Sequence, residues 1–335
     1  MTLTEQRGMT FLAGLDFPVV LADTSEMTRE EWLELRKQGL GGSDAAWVMG
    51  RSRYKSPYTG WAEKAGFIEE PNLDDRESVE WGHRLEPIVA ERFSERFGLE
   101  IIDAPVMLQH PTYPWMLANV DRFIVEGGEI VGILEVKTAG LRMADYWEGD
   151  DVPDHYWLQV QHYLACCGLD FAYLTVLIGG QEQRDYRIER DELAIADLIA
   201  KEGDMWAHVE AKIAPDVDGS ESTKDTLGEM WIPEEGSVTD LPDEAIDLIV
   251  GLAALAEKRK EIEAEETLGQ NELKALLAEH EIGRVNGEVV VTWKPQTRKT
   301  IDSKRLKAEH PEIAAEYEKA STFRKLDPKY SKVLS

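Results

Sequence analysis

A glutamate set in the middle of an apolar β-type run constrains this chain more than any other feature of its sequence. Residues 131–136 read VGILEV, followed by Lys137 and Thr138. Side chains alternate faces along a strand, so Glu135 and Lys137 point the same way with Val136 behind them. An apolar run of this kind is buried on both faces of a sheet. A carboxylate and an ammonium there are costly unless they pair or hold a metal. Asp121 lies in the neighbouring β-type run, across the EGGE turn of residues 126–129, so the three side chains can converge. Two acids and a lysine at a strand edge suit phosphodiester hydrolysis: the acids hold Mg²⁺ through hard oxygen ligands, and the lysine orients water or stabilises charge on the phosphate. An Asp and a Glu-x-Lys on adjacent strands, taken alone, read rather as a cross-strand salt bridge. Glu86, placed between Leu85 and Pro87 beside an apolar helical stripe, and Gln159 and Gln161, in a helix that should pack, tilt the reading toward a site.

The rest of the first 215 residues fits that site into an α/β order. Residues 28–40 predict a helix capped by Thr28 with acids in its first turn. GLGGSDAAWVMG predicts a turn into a short helix capped by Ser43 or Asp44. A further helix is expected from Tyr58 to Ala65. Residues 78–97 predict another, with Leu85, Val89, Phe93 and Phe97 on one stripe and Gly98 closing it. The period then switches to alternation in VMLQHP, MLANVDRFIV and IVGILEVKTA. YWLQVQHYLACCG returns to a helix, FAYLTVLIGG and QRDYRIER are strands, and residues 191–212 form a helix with Leu193, Ala196, Ile199 and Met205 or Trp206 on one face. Trp47, Tyr54, Tyr58 and Trp61 stand near Arg51, Arg53 and Lys55, a pattern that reads either as DNA contact or as packing of the first helices.

The set Arg36, Gly41-Gly42-Ser43-Asp44, Trp81-Gly82, Leu85-Glu86-Pro87, Asn119-Val120-Asp121, Leu134-Glu135-Val136-Lys137 and Gln159-Val160-Gln161, in that order over residues 28–190, resembles the YqaJ-type viral recombinases. That family includes the lambda-type exonuclease and lies within the PD-(D/E)xK nucleases. The resemblance implies a mixed central β-sheet flanked by helices, and a Mg²⁺-dependent 5′→3′ double-stranded DNA exonuclease serving phage-type recombination, with Mn²⁺ able to substitute. Asp121 and Glu135 would be the metal ligands, assisted by the Val136 carbonyl. Lys137 would act at the scissile phosphate, Glu86 would complete the acidic site, and Gln161 would position water or the lysine. Arg36 and Ser43 match the pair that holds the DNA 5′-phosphate. Val120 replaces the proline of the superfamily's name. Double-stranded DNA ends, a single-strand annealing protein and a homotrimeric ring are the implied partners and assembly. The same fold also serves endonucleases and Cas4- or RecB-like nucleases, and a non-catalytic acidic DNA mimic or recombination adaptor is the alternative from another class.

Charge tests these readings. The chain carries 37 basic and 65 acidic residues, a net charge of −28, so a DNA enzyme must gather its positive groups at a site or channel. A threaded ring would do so, with basic groups inside and acids outside. The positive excess lies in residues 286–335, with 11 basic and 7 acidic residues. Residues 216–240 read as an acidic linker and 241–335 as an accessory domain. In that domain residues 243–281 predict one or two helices with Gly269 as a break, Asn286-Gly287 predicts a hairpin, and Asp302 can cap a final helical pair divided at Pro311. The only cysteines, Cys166 and Cys167, are adjacent, which excludes a four-cysteine cluster and suits buried thiols. No apolar run has the length of a membrane span, and the N-terminus does not read as a leader. The expected location is the cytoplasm of a bacterial host.

Overall fold

The computed structural model describes residues 18–335 apart from 73–75, 104, 150, 233, 320–323 and 334–335. The N-terminal reading falls largely on residues 1–17 and lies outside the described residues. The chain divides into two compact units after Ile232.

In the first unit, strand β1 (Val19–Asp23) precedes helix α1 (Arg29–Arg36). The Thr28 hydroxyl accepts the Glu31 N–H at 3.2 Å and the Glu31 carboxylate accepts the Thr28 N–H at 2.9 Å, a reciprocal capping box. A two-residue strand, β2 (Leu40–Gly41), turns directly into α2 (Gly42–Val48). Neither Ser43 nor Asp44 is its cap. Both lie in the first turn, where the Asp44 carboxylate accepts the Gly41 N–H at 2.9 Å. Helix α3 (Pro57–Lys64) is capped by Ser56, and α4 (Glu77–Phe97) ends at Gly98, whose φ of 65° suits glycine.

Strands β3 (Glu100–Ile102), β4 (Val106–Gln109), β5 (Met116–Ala118), β6 (Arg122–Glu126) and β7 (Glu129–Ala139) follow. A 3₁₀ segment (Leu141–Trp147) leads to α5 (Asp154–Cys167), β8 (Phe171–Ile178), β9 (Glu182–Glu189), α6 (Glu192–Ala211) and α7 (Glu221–Met230). Five strands form one mixed sheet in the order β3-β6-β7-β8-β9. Only β7 and β8 run parallel there, with α5 as the crossover between them. Val89 and Phe93 of α4 pack on one face with Ile124, Leu134 and Val136. Val160 and Leu164 of α5 pack on the other with Phe123, Ile133 and Leu174. By alternation from Ile133, Glu135 and Lys137 face α5.

A second sheet, β1-β4-β5-β2, takes the strand that the sequence reading had joined to β6. The run from Met116 to Val125 breaks at residues 119–121, where the Asn119 amide donates to the Val106 carbonyl at 2.8 Å. Asp121 thus stands at the junction of two sheets, just before β6, and not within a strand. The supposed linker of residues 216–240 is also revised. Helix α7 packs on α3 through hydroxyls: Thr59 meets Ser222 and Thr226, each at 2.7 Å, and Thr223 donates to Ser56 at 2.8 Å. Thr223 and Thr226 are buried.

The second unit holds one continuous helix, α8 (Glu244–Leu277), with no break at Gly269. The hairpin of β10 (Ile282–Val285) and β11 (Glu288–Thr292) turns at Asn286 and Gly287, both at positive φ, as a two-residue primed turn requires. Helices α9 (Ser303–Glu309), capped by Asp302, and α10 (Pro311–Glu316) precede α11 (Tyr330–Val333), which packs on α8. Among the described residues no helix is long and apolar enough to cross a membrane.

Candidate active site

Glu135 is 1% exposed. Its Oε1 accepts from the Lys137 ammonium and from the Gln159 amide at 2.6 Å. Its Oε2 is buried and has no hydrogen-bond partner. Burial pushes its pKa up, the Asp121 charge adds to that, and Lys137 opposes both, for a net value of about 8. Burial works against the charge of Lys137, yet Glu135 and Asp121 outweigh it and hold the lysine protonated. Asp121 is oriented by the backbone, its Oδ2 accepting the Val136 N–H at 2.8 Å. The strand thus presents Glu135 and Lys137 side by side and clamps Asp121 from the next segment with its own main chain.

Glu86 reaches the same neighbourhood from α4. Burial, and then Asp121, raise its pKa against the pull of Arg122, which donates to it at 2.9 Å. Arg122 also pairs with Asp103, so it ties the outer carboxylates to the sheet. Gln161 stands elsewhere. Its amide donates to the Glu189 carbonyl at 2.8 Å and its Oε1 accepts the Asp191 N–H at 2.9 Å, leaving it fully buried at the β9–α6 junction. The glutamine that touches Glu135 is Gln159, which also donates to the Tyr163 hydroxyl at 3.1 Å. Residues two apart on a helix point to nearly opposite sides, so only one glutamine of the pair can face β7.

Arg36 and Ser43 do come together, the guanidinium donating to the Ser43 hydroxyl at 2.8 Å. Asp44 organises them. Its carboxylate, 2% exposed, lies 2.9 Å from Lys64 and 3.5 Å from Arg36 and accepts the Trp47 indole N–H at 3.0 Å. Burial alone would push the Asp44 pKa up, but Lys64 and Arg36 hold it well below the usual carboxylate range. Arg36 and Lys64 thus flank the buried Asp44 carboxylate, with the Ser43 hydroxyl at the guanidinium, and Glu70 and Glu63 also act on Arg36. This cluster meets the carboxylates through Tyr163: a Cβ on Gly42 would meet the Tyr163 ring at 2.4 Å, and the Tyr163 hydroxyl feels Glu135 and Asp121 as well as Arg36. Lys64 and Tyr163 carry no signal of a site in the sequence, and of the two glutamines the sequence points to, the assigned role falls on Gln161 and the contact on Gln159. Lys64 lies 20 positions from Asp44 with no local signal, whereas Gln159 was visible as a polar residue on a helix expected to pack.

Among the described residues no three His, Cys, Asp or Glu side chains are assembled as a metal-binding set. The residues present nevertheless fit a hard divalent cation. Two carboxylates and a strand carbonyl are oxygen donors of the kind Mg²⁺ accepts alongside water, and the bare, buried Glu135 Oε2 is the atom such an ion would satisfy. The thiols of Cys166 and Cys167 are free and buried away from this chemistry.

The fold and site define a mixed-sheet α/β protein with an Asp and Glu-x-Lys centre set next to an Arg36–Asp44–Lys64 cluster. Residues 31–170 match the YqaJ-like viral recombinase domain. The chain is 34% identical over 310 residues to YqaJ of Bacillus subtilis (strain 168), itself uncharacterized, covering 91% of this chain and 96% of that one. This chain belongs to the YqaJ-like viral recombinase family. Among solved structures it is similar to an alkaline exonuclease from Laribacter hongkongensis (TM-score 0.45, 21% identity, 55% of this chain and 94% of that one). It is also similar to a phage-related exonuclease from Haemophilus somnus 129PT (TM-score 0.39, 12% identity, 52% and 96%).

Proposed function

We propose that this chain is a Mg²⁺-dependent exonuclease that resects duplex DNA from 5′ ends for phage-type recombination. The observation that carries the reading is Glu135: a carboxylate buried in a central strand, with one oxygen unpartnered, set between Asp121 and Lys137. A fold has no structural need for that cost, and a metal-assisted hydrolase does. Asp121, Glu135 and the Val136 carbonyl would hold the ion. Mg²⁺, or Mn²⁺ in its place, supplies Lewis-acid polarisation of the phosphodiester and a more acidic water when bound. Lys137 stays protonated and presents its ammonium where negative charge develops on the phosphate. Gln159 positions Glu135 by holding the oxygen that Lys137 also holds, and Glu86 adds negative charge at the outer edge.

Arg36 and Ser43 give the reaction its end. A guanidinium and a hydroxyl take a terminal phosphate as charge-assisted hydrogen bonds, while Asp44 and Lys64 keep the guanidinium aimed. The 5′-terminal nucleotide then spans Tyr163, with its 5′-phosphate at Arg36 and the scissile phosphate at Glu135. A homotrimeric ring around DNA would reconcile the net charge of −28 with this substrate, and a single-strand annealing protein would take the exposed strand. The test is incubation with linear and covalently closed duplexes, with and without Mg²⁺, using separate 5′ and 3′ labels. Early release of 5′ label from linear DNA alone, lost in Asp121→Ala and Lys137→Ala, is expected. Cutting of closed circles would make the chain an endonuclease, and absence of any Mg²⁺-dependent cleavage would leave a non-catalytic binding protein.

A further inference from the structure

One face of α5 runs along the whole site. Tyr156, Gln159 and Tyr163 recur at i, i+3 and i+7, so they form a stripe about 10 Å long. Tyr163 marks the Arg36 end, packed on Gly42 beside Ser43, and Gln159 touches Glu135. At the other end the Lys137 ammonium lies over the Tyr156 ring, 5.3 Å from its centroid. That end is a wall of rings. Trp147 stacks on Tyr156 at 5.3 Å and 23°, and its carbonyl is pinned by Tyr186 and by Arg184, the latter at 2.6 Å. The next residue back, Tyr146, is 46% exposed, and the Arg53 guanidinium lies over its ring at 4.3 Å. Tyr54, beside Arg53 in the chain, is 84% exposed.

We infer that Tyr54 and Tyr146, with Arg53, form a stacking site for the nucleobase on the 3′ side of the scissile phosphate, the nucleotide that becomes the new 5′ end. The assignment rests on the exonuclease reading above and on the order along α5. If the terminal phosphate sits at the Tyr163 end and the scissile phosphate at Gln159, the next nucleotide continues to the Tyr156 end. An open aromatic face beside a guanidinium takes any base, since every base has a π-face and Arg adds a cation–π contribution. Trp47, Tyr58 and Trp61, in the same basic-aromatic stretch of sequence, are buried and pack the first helices instead.

Single-turnover release of the first nucleotide from 5′-phosphorylated linear duplexes tests this. The substrates are intact DNA, DNA abasic at the second nucleotide, and DNA abasic at the first. The wild-type protein should slow on the order of 10-fold on the second substrate relative to intact DNA. Tyr54→Ala with Tyr146→Ala should show that loss already on intact DNA and no further loss when the second base is missing. Tyr54→Phe, which keeps the ring, should retain the dependence on the second base. Active wild-type protein indifferent to the second base, or a double variant that keeps the full penalty, overturns the inference and leaves the nuclease reading standing. Wild-type protein that releases nothing from any substrate removes both.

Discussion

Replacing Glu135 by glutamine should flatten the pH dependence of stability in the metal-free protein while removing activity. In the unfolded chain this carboxyl titrates near 4.5, and in the fold, near 8. Between those values the folded state holds a proton that the unfolded state has lost. The associated stability is therefore fully present below about pH 4.5 and is lost as pH rises through about 8. At roughly 1.4 kcal/mol per pH unit the swing is on the order of 3–5 kcal/mol. A unit of this size loses about 2–4 °C per kcal/mol, so a melting temperature about 10 °C lower at pH 8.5 than at pH 5 is expected from this group. The Glu135→Gln amide would place an N–H donor where the unpartnered oxygen now lies, at a cost of about 1–3 kcal/mol that does not vary with pH. The slope is thus the clean readout, and other titrating groups cancel between the two proteins. The assay is thermal unfolding in EDTA from pH 5 to 8.5, repeated with Mg²⁺, which favours the ionised carboxylate and should recover more stability at the high end. Parallel curves for the wild type and Glu135→Gln, with or without Mg²⁺, would refute the reasoning.

Three further outcomes are expected. Arg36→Ala should slow digestion of 5′-phosphorylated ends by about 10- to 100-fold, as loss of a charge-assisted contact predicts, and affect 5′-hydroxyl ends far less. Asp44 keeps Lys64 as a partner, so the fold should hold; equal losses on both ends would reduce Arg36 to a general backbone contact. Truncation after Ile232 should leave Mg²⁺-dependent cleavage measurable, since every proposed site residue lies in the first unit, and a folded but inactive fragment would assign the second unit to the site. The fully buried His162 imidazole meets Glu202 at 2.8 Å and the Leu117 carbonyl at 2.9 Å, two acceptors that favour the doubly protonated ring. His162→Leu should cost about 3–5 kcal/mol by leaving Glu202 uncompensated, whereas pairing it with Glu202→Leu should restore much of that in chemical denaturation; no recovery in the double variant would show that the pair is not coupled.

Features governed by neighbours in the chain were legible in advance. Strand alternation alone placed Glu135 and Lys137 on one face. Thr28 could be read as a helix cap and Asn286-Gly287 as a hairpin turn, because each depends on a few consecutive dihedral angles. Packing choices were not legible. On α6 the expected face began at Leu193, which is 85% exposed; the buried face is Ile195, Leu198, Glu202, Met205 and Val209. The misreading came from Glu202, a charge that belongs in the interior only because His162 waits there from another helix.

The sequence by itself determined which groups are proposed to carry the chemistry: the acids, the lysine, and the arginine and serine ahead of them. The tertiary structure decided how they are held. It split the Met116–Val125 run between two sheets and so set Asp121 at their junction. It turned Gln159 toward Glu135 and Gln161 toward the β9–α6 backbone. It brought Lys64 to Asp44, and with it the Arg36–Asp44 cluster to within one tyrosine of the carboxylates. The physical reason is the same in each case. A helix or strand carries its own periodicity in its residues, but which side of it meets a neighbour is settled by how whole elements dock, here through the bare Gly42 against Tyr163 and the parallel crossover from β7 to β8.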